Sequence, residues 1–177
     1  MIRFHFLEVI RAMSDFSFLK KYVLPSVNVQ APPEYKHVFY PLDICEVEEA
    51  EHRLNRTFPK ELREFYLQIG YGFMCIHQKT FDNRIMDSDS LADLILGEDI
   101  WEDYDLMEEI GEPHLFPFFF LGNDDLIFFD LSQETREGIH PADYGRVIIA
   151  ESLEDFLRKL DAKENYYINV VDDKSGF

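Results

Sequence analysis

EVEEAEHRLNRTFPKELREFYLQIGYGFM, residues 46–74, reads as helix, short loop, helix and a glycine-containing exit into a strand. Ile44, Val47, Ala50 and Leu54 fall on one helical side. Beyond Pro59, the residues Leu62, Phe65, Tyr66 and Ile69 recur at i, i+3, i+4, i+7, the spacing of an amphipathic helix. Pro59 suits a first helical position, because the N–H it lacks has no intrahelical partner there. Asp43 is placed to cap the first helix, with Glu46 three residues on to complete a capping box. Gly70 or Gly72 supplies the left-handed residue that ends the second helix. The stretch builds a scaffold and carries no chemistry of its own.

Upstream, Ile2, Phe6, Val9 and Met13 predict a helix over residues 2–13, and Phe18, Leu19, Tyr22 and Val23 a short helical piece ended by Pro25. Residues 25–41 hold four prolines and read as an extended surface connector. Downstream, residues 73–76 are a short strand candidate. Asp87 or Ser88 then caps a helix through Leu91, Leu94 and Ile95, stopped by Gly97. Residues 98–112 form a helix or an ordered loop. LFPFFFLGNDDLIFFDLS, residues 115–132, is two apolar runs around hairpin punctuation at Gly122, Asn123, Asp124 and Asp125. GRVIIA, residues 145–150, is a strand. Ser152 and Asp155 cap a last helix that buries Leu153, Phe156, Leu157 and Leu160, and residues 167–171 add an edge strand. The sum is α+β: N-terminal helices, a central, mainly antiparallel twisted sheet and a closing C-terminal helix. It reads as one domain over 1–177, with a core at about 42–162 and a helical extension and connector over 1–41.

A chain of this length buries roughly 70% of its unfolded surface without a staple. Seventeen phenylalanines point to a real core. Cys45 and Cys75 are too few for a disulfide framework, which implies a reducing compartment. Arg3, His5, Glu8 and Arg11 interrupt the apolar residues of the N-terminus, which excludes a signal-peptide core there. These features predict a cytoplasmic protein.

The net charge is −18. Between Ile85 and Thr135 there is no Lys or Arg, while Asp87, Asp89, Asp93, Glu98, Asp99, Glu102, Asp103, Asp105, Glu108, Glu109, Glu112, Asp124, Asp125, Asp130 and Glu134 all lie there. Such a block repels nucleic acid and anionic membranes and steers basic partners. The same charge also serves solubility.

No nucleophile elbow, phosphate loop, dinucleotide glycine pattern or H-E-x-x-H occurs, and the six histidines show no i, i+4 pair. The sequence therefore implies no catalytic residue, no cofactor and no metal. Asp87, Asp89, Asp93 and Glu98 fill positions 1, 3, 7 and 12 of a calcium-loop window, but Leu91 and Ala92 stand where an oxygen ligand and a glycine are needed. A capped helix with a solvated face explains them. Cys75 and His77, two apart on the expected strand, share a face; no third group activates them, so an ordinary buried thiol is the expectation. Asp124 and Asp125 beside Asp130 resemble paired acids, but turn geometry accounts for the first two. The sharpest feature is Trp101 and Tyr104 among Glu98, Asp99, Glu102, Asp103 and Asp105. Aromatic anchors rimmed by charge describe a partner-binding surface. They equally describe two rings facing the core while the acids face water.

Pieces between residue 44 and about residue 160, with the acidic segment 85–112 outside the match, resemble the SUKH superfamily, the domain of the yeast Smi/Knr cell-wall-assembly regulators and many bacterial proteins. EAEHRL carries the helix with E-x-x-L. TFPKELREFYLQIGYGF carries the Pro-led helix and glycine-rich exit. FPFFFLGNDDLIFFDLS matches the aromatic strand–turn–strand, and VIIAESLEDFLRKL the closing strand and helix. Pro59, Tyr66, Gly70, Gly72, Gly122 and Phe156 carry over as structural positions. The resemblance implies a single α+β domain without an active site. Its bacterial members are commonly immunity proteins that neutralise a co-encoded toxin, often a nuclease. The expected function is non-catalytic binding of a basic cognate toxin, and composition, not the resemblance, assigns the contact to the acidic surface at 98–105. The alternative is an intracellular regulatory or scaffolding module with no toxin partner.

Overall fold

The helix pair forms where its spacing places it. In the computed structural model, which describes residues 13–77, 83–122, 124–133 and 140–175, α1 spans Ile44–Arg53 and α2 spans Lys60–Gln68. The Asp43 carboxylate accepts from the Cys45 N–H, and the Glu46 side chain accepts from the Asp43 N–H, so the capping box is complete. Pro59 stands at the cap position of α2, one residue earlier than its N1 reading. The helix expected over 2–13 lies outside the described residues apart from Met13. A 3-10 helix, Ser17–Tyr22, replaces the short helical piece after it.

One seven-stranded antiparallel sheet runs in chain order: β1 Val38–Tyr40, β2 Tyr71–Phe73, β3 Arg84–Ile85, β4 Leu115–Leu121, β5 Asp125–Asp130, β6 Ala142–Tyr144 and β7 Val147–Ala150. The helix pair connects β1 to β2. Between β3 and β4 lie α3 (Ser88–Leu96) and the short α4 (Met107–Ile110), and after β7 come α5 (Leu153–Ala162) and α6 (Tyr166–Ser175). The fold is α+β with a C-terminal helical end, as its patterning implies.

Aromatic rings join the layers. Phe65 of α2 meets Phe39 of β1 and Phe16 edge-on, at 5.8 and 5.2 Å between ring centres. Phe156 of α5 meets Phe118 and Phe119 of β4 at 5.5 and 5.1 Å. Burying such a ring contributes about 1.5–3 kcal/mol, and edge-to-face contact adds to it. Both Phe118 and Phe119 turn inward because the β4–β5 register shifts between Pro117 and Phe119. A bulge of this kind also accommodates the proline inside the strand.

The strands differ from expectation in instructive places. Part of the expected connector is β1, with Val38 and Phe39 buried. Gly70, at φ +106°, donates to the Phe65 carbonyl at the end of α2. Its stronger constraint is β1: a Cβ on Gly70 would stand 1.8 Å from the Tyr40 carbonyl oxygen, and one on Gly72 2.2 Å from that of Val38. These glycines let β2 lie against its neighbour as well as ending a helix. The strand expected over 73–76 is therefore Tyr71–Phe73, and it stops before Cys75, whose φ is +57°.

Two helix ends match their reading. Asp87 caps α3 by accepting from the Ser90 N–H, and Gly97 closes it in the left-handed conformation. At α5, Ser152 accepts from the Asp155 N–H, and all four expected residues are buried. The Asp155 carboxylate reaches one residue further back than a capping box requires, to the Glu151 N–H. The expected edge strand at 167–171 is instead α6. Its β-branched residues suggest a strand, but Tyr166, Tyr167, Val170 and Val171 also repeat at i, i+4. Burial of both tyrosines against Phe156 and Tyr144 favours the helical period.

Candidate protein-binding surface

Residues 98–105 leave α3 at Gly97 and turn through a 3-10 helix, Asp99–Trp101. Trp101 faces inward. It is 8% exposed and packs edge-on against Tyr104 and Phe120, at 5.2 and 5.8 Å. The Tyr104 hydroxyl donates to the Asp124 carbonyl at the β4–β5 turn, 2.9 Å away. Burial first, then the charges of Asp124, Asp125 and Asp105, push that phenol up to about 12. The two rings thus rivet the segment to the hairpin. Glu98, Asp99, Glu102, Asp103 and Asp105 are exposed, and Ile100 stands 76% exposed among them. The exposed apolar side chain of the segment is therefore Ile100. The sequence hid it, because its neighbour Trp101 carries the stronger aromatic signal.

The segment has one cationic anchor from outside. Arg53, at the end of α1, pairs with Asp89, Asp93 and Glu98. Its hydrogen bonds to the Asp93 and Glu98 carboxylates raise its already high pKa further. Three acids of the calcium-like window therefore surround a guanidinium, and the fourth, Asp87, is a helix cap. Among the described residues no group of three or more His, Cys, Asp or Glu is arranged to hold a metal ion. Position at the last turn of α1 was the only sequence signal for Arg53.

Cys75 and His77 do not share a face. Cys75 is buried and His77 exposed, because the positive φ at Cys75 breaks the alternation. Burial pushes the Cys75 thiol up to about 12, away from the thiolate. The histidine facing it is His37, fully buried, whose Nδ1 accepts the Cys75 N–H at 3.0 Å. Nε2 then carries the proton and donates to Asp161 at 2.8 Å. This arrangement ties β1, the end of β2 and α5 together.

Asp124, Asp125 and Asp130 also separate. Asp124 takes the left-handed turn conformation at φ +61°. Asp125 opens β5 and accepts from the Tyr144 hydroxyl. Asp130 closes β5, where Ser132 and Gln133 donate to it. Burial raises its pKa less than these bonds lower it. Asp125 and Asp130 are each held by a side-chain hydrogen bond, and Asp124 is accounted for by its turn conformation.

With this geometry in place, the comparisons with known proteins are decisive for the family. The model of the SMI1 / KNR4 family (SUKH-1) matches residues 41–159. The chain belongs to this family. A relative from Bacillus subtilis (strain 168), "Immunity protein YxxD", is 38% identical over 144 residues, covering 77% of this chain and 91% of its own. No solved structure matches. The SUKH-1 match takes in the helix pair, the sheet from β2 to β7 and nearly all of α5. It also spans residues 98–105. No helix among the described residues is long and apolar enough to cross a membrane.

Proposed function

We propose that this chain is a cytoplasmic immunity protein that neutralises a basic cognate toxin, of nuclease type, by direct binding. It acts without catalysis, cofactor or metal. The observation that carries this reading is the surface at 98–105: five exposed carboxylates around one exposed isoleucine, with Trp101 and Tyr104 packed beneath. Family membership and the name of the Bacillus relative support it. An acidic surface with an apolar centre suits the basic groove of a nuclease, where it occupies the place of phosphates and excludes the substrate. The positive groove and the acidic tract attract at long range, so association is fast at low salt and slows as salt rises.

The test uses the product of the neighbouring toxin gene. Co-expression with this chain should restore growth, and stopped-flow association should slow steeply between low and physiological salt. Salt-independent association refutes the electrostatic mechanism, and toxicity unchanged by co-expression refutes the immunity role. A stable endogenous partner captured from cells that lack any toxin gene would favour the regulatory-module alternative instead.

A further inference from the structure

The 98–105 surface begins at a reversal that the chain makes immediately after α3. Gly97 and Asp99 both take left-handed backbone angles, at φ +65° and +54°, and Glu98 stands extended between them. An aspartate in that conformation is tolerated rather than favoured, so the turn persists where its neighbours hold it. Glu98 is the residue they hold. Its N–H donates to the Asp93 carbonyl at 2.9 Å, and its own carbonyl accepts the Trp101 N–H at 3.1 Å. Its carboxylate accepts from Arg53 at 2.8 Å. The first two bonds are local, and the third comes from α1, 45 residues earlier in the chain.

Arg53 is fitted to this place by charge as well as by reach. Asp89 and Asp93 lie one turn apart on α3 and Glu98 follows, so three carboxylates converge where the helix also presents the negative end of its dipole. The last turn of α3 has no basic residue, and the chain has no Lys or Arg between Ile85 and Thr135. The cation has to come from another element. Arg53, in the last turn of α1, supplies it, and its half-buried side chain donates to all three acids. A planar fork of five donors serves such a set better than a single ammonium does.

We propose that Arg53 is the positioning residue of the 98–105 surface: by holding Glu98 it sets the direction in which Ile100 and the acids Asp99, Glu102, Asp103 and Asp105 face the basic partner. The proposal rests on the binding function above, and it gives the loss of Arg53 a sign opposite to that of charge. Removing a cation makes the chain more negative, which by itself speeds encounter with a basic partner. Removing the contact to Glu98 leaves the surface to be ordered at the moment of binding, which weakens the complex.

The first measurement, hydrogen exchange of the full chain, needs no toxin. In Arg53→Met the Glu98 and Trp101 amides should exchange about tenfold faster or more, with the amides of β5 unchanged. Trp101 is the only tryptophan, so its emission should shift to the red and acrylamide should quench it more strongly in the same variant. Glu98→Ala, the second variant, breaks only the contact to the segment and should reproduce the faster Trp101 exchange. Arg53→Lys keeps the charge without the fork and should recover part of the protection. With the product of the neighbouring toxin gene, Arg53→Met should raise Kd about tenfold through faster release, while association is no slower than in wild type. Unchanged exchange at Glu98 and Trp101 in Arg53→Met and at Trp101 in Glu98→Ala overturns the proposal. So does faster association with wild-type release, the signature of charge alone. A toxin that binds neither wild type nor variant overturns the binding function, and the exchange measurement still decides whether Arg53 holds the segment.

Discussion

In the α1–α2 pair, carboxylates are fastened to particular donors. Glu51 accepts the Phe58 N–H and pairs with Arg63, and Glu64 pairs with Lys60. Glu61, buried, accepts from the Ser14 hydroxyl and from the Leu153 and Glu154 N–H groups. In residues 98–112, by contrast, Glu102, Asp103, Asp105 and Glu108 face water. Arg53 reaches only Glu98 of that segment. One residue type is structural in the first region and left facing solvent in the second. Composition alone counts both as negative charge, and only the fold separates acids that hold the chain together from acids available to a partner.

The comparison breaks most severely where the helix pair meets the sheet. Gly70→Ala places a methyl group against the Tyr40 carbonyl at a backbone angle that L residues rarely adopt. A destabilisation of about 3 kcal/mol or more is expected, read as a lower denaturation midpoint. Partner binding by whatever fraction stays folded should be unchanged, since the surface at 98–105 is remote from the clash in the chain.

Next in size is Glu61→Gln. The amide has one acceptor oxygen where the carboxylate has two, so an NH₂ group must face the Leu153 N–H or the Ser14 hydroxyl. A loss of about 1–3 kcal/mol is expected by denaturant unfolding. The matching exchange at Glu102 should cost nothing measurable, which states the comparison as a difference between two curves.

Acid acts on the fold at His37, which precedes β1 and joins Cys75 to Asp161. Burial lowers its pKa from 6.5, against the opposing pull of Asp161. Asp161, Lys36 and Glu164 are the charged groups whose fields act on it. The folded chain therefore binds this proton less readily than the unfolded chain. The stability it contributes is present above about pH 6.5 and is lost as pH falls through the lowered value, by at most about 1.4 kcal/mol per pH unit. His37→Gln should flatten that part of the stability–pH curve. An equally steep curve in the variant would place the acid sensitivity elsewhere.

How much of this was legible follows the same division. The helix pair, both caps of α3, the β4–β5 hairpin and the buried face of α5 follow from local spacing and cap chemistry, so the sequence displays them. The strands β3 and β6 have only two and three residues, too short for periodicity. Strand β1 hides among prolines, and α6 carries strand-forming residues at a helical repeat. Around 98–105 the carboxylates were readable. That Trp101 turns inward and Ile100 outward depends on Phe120 and the hairpin turn, which are distant in sequence.

The smallest expected effect on stability is the most informative about function. Glu102→Gln, Asp103→Asn and Asp105→Asn together remove three charges from exposed side chains that make no structural bond among the described residues. Unfolding should shift by no more than about 0.5 kcal/mol. Association with the toxin should slow severalfold at low salt and converge on wild type as salt screens the tract. Release should stay near the wild-type rate, because rim charges act on encounter more than on the formed complex. If release accelerates as much as association slows, these acids belong to the buried contact. The reading of these acids as rim charges would then fail, while the contrast with Glu61, whose loss unfolds rather than unbinds, would remain.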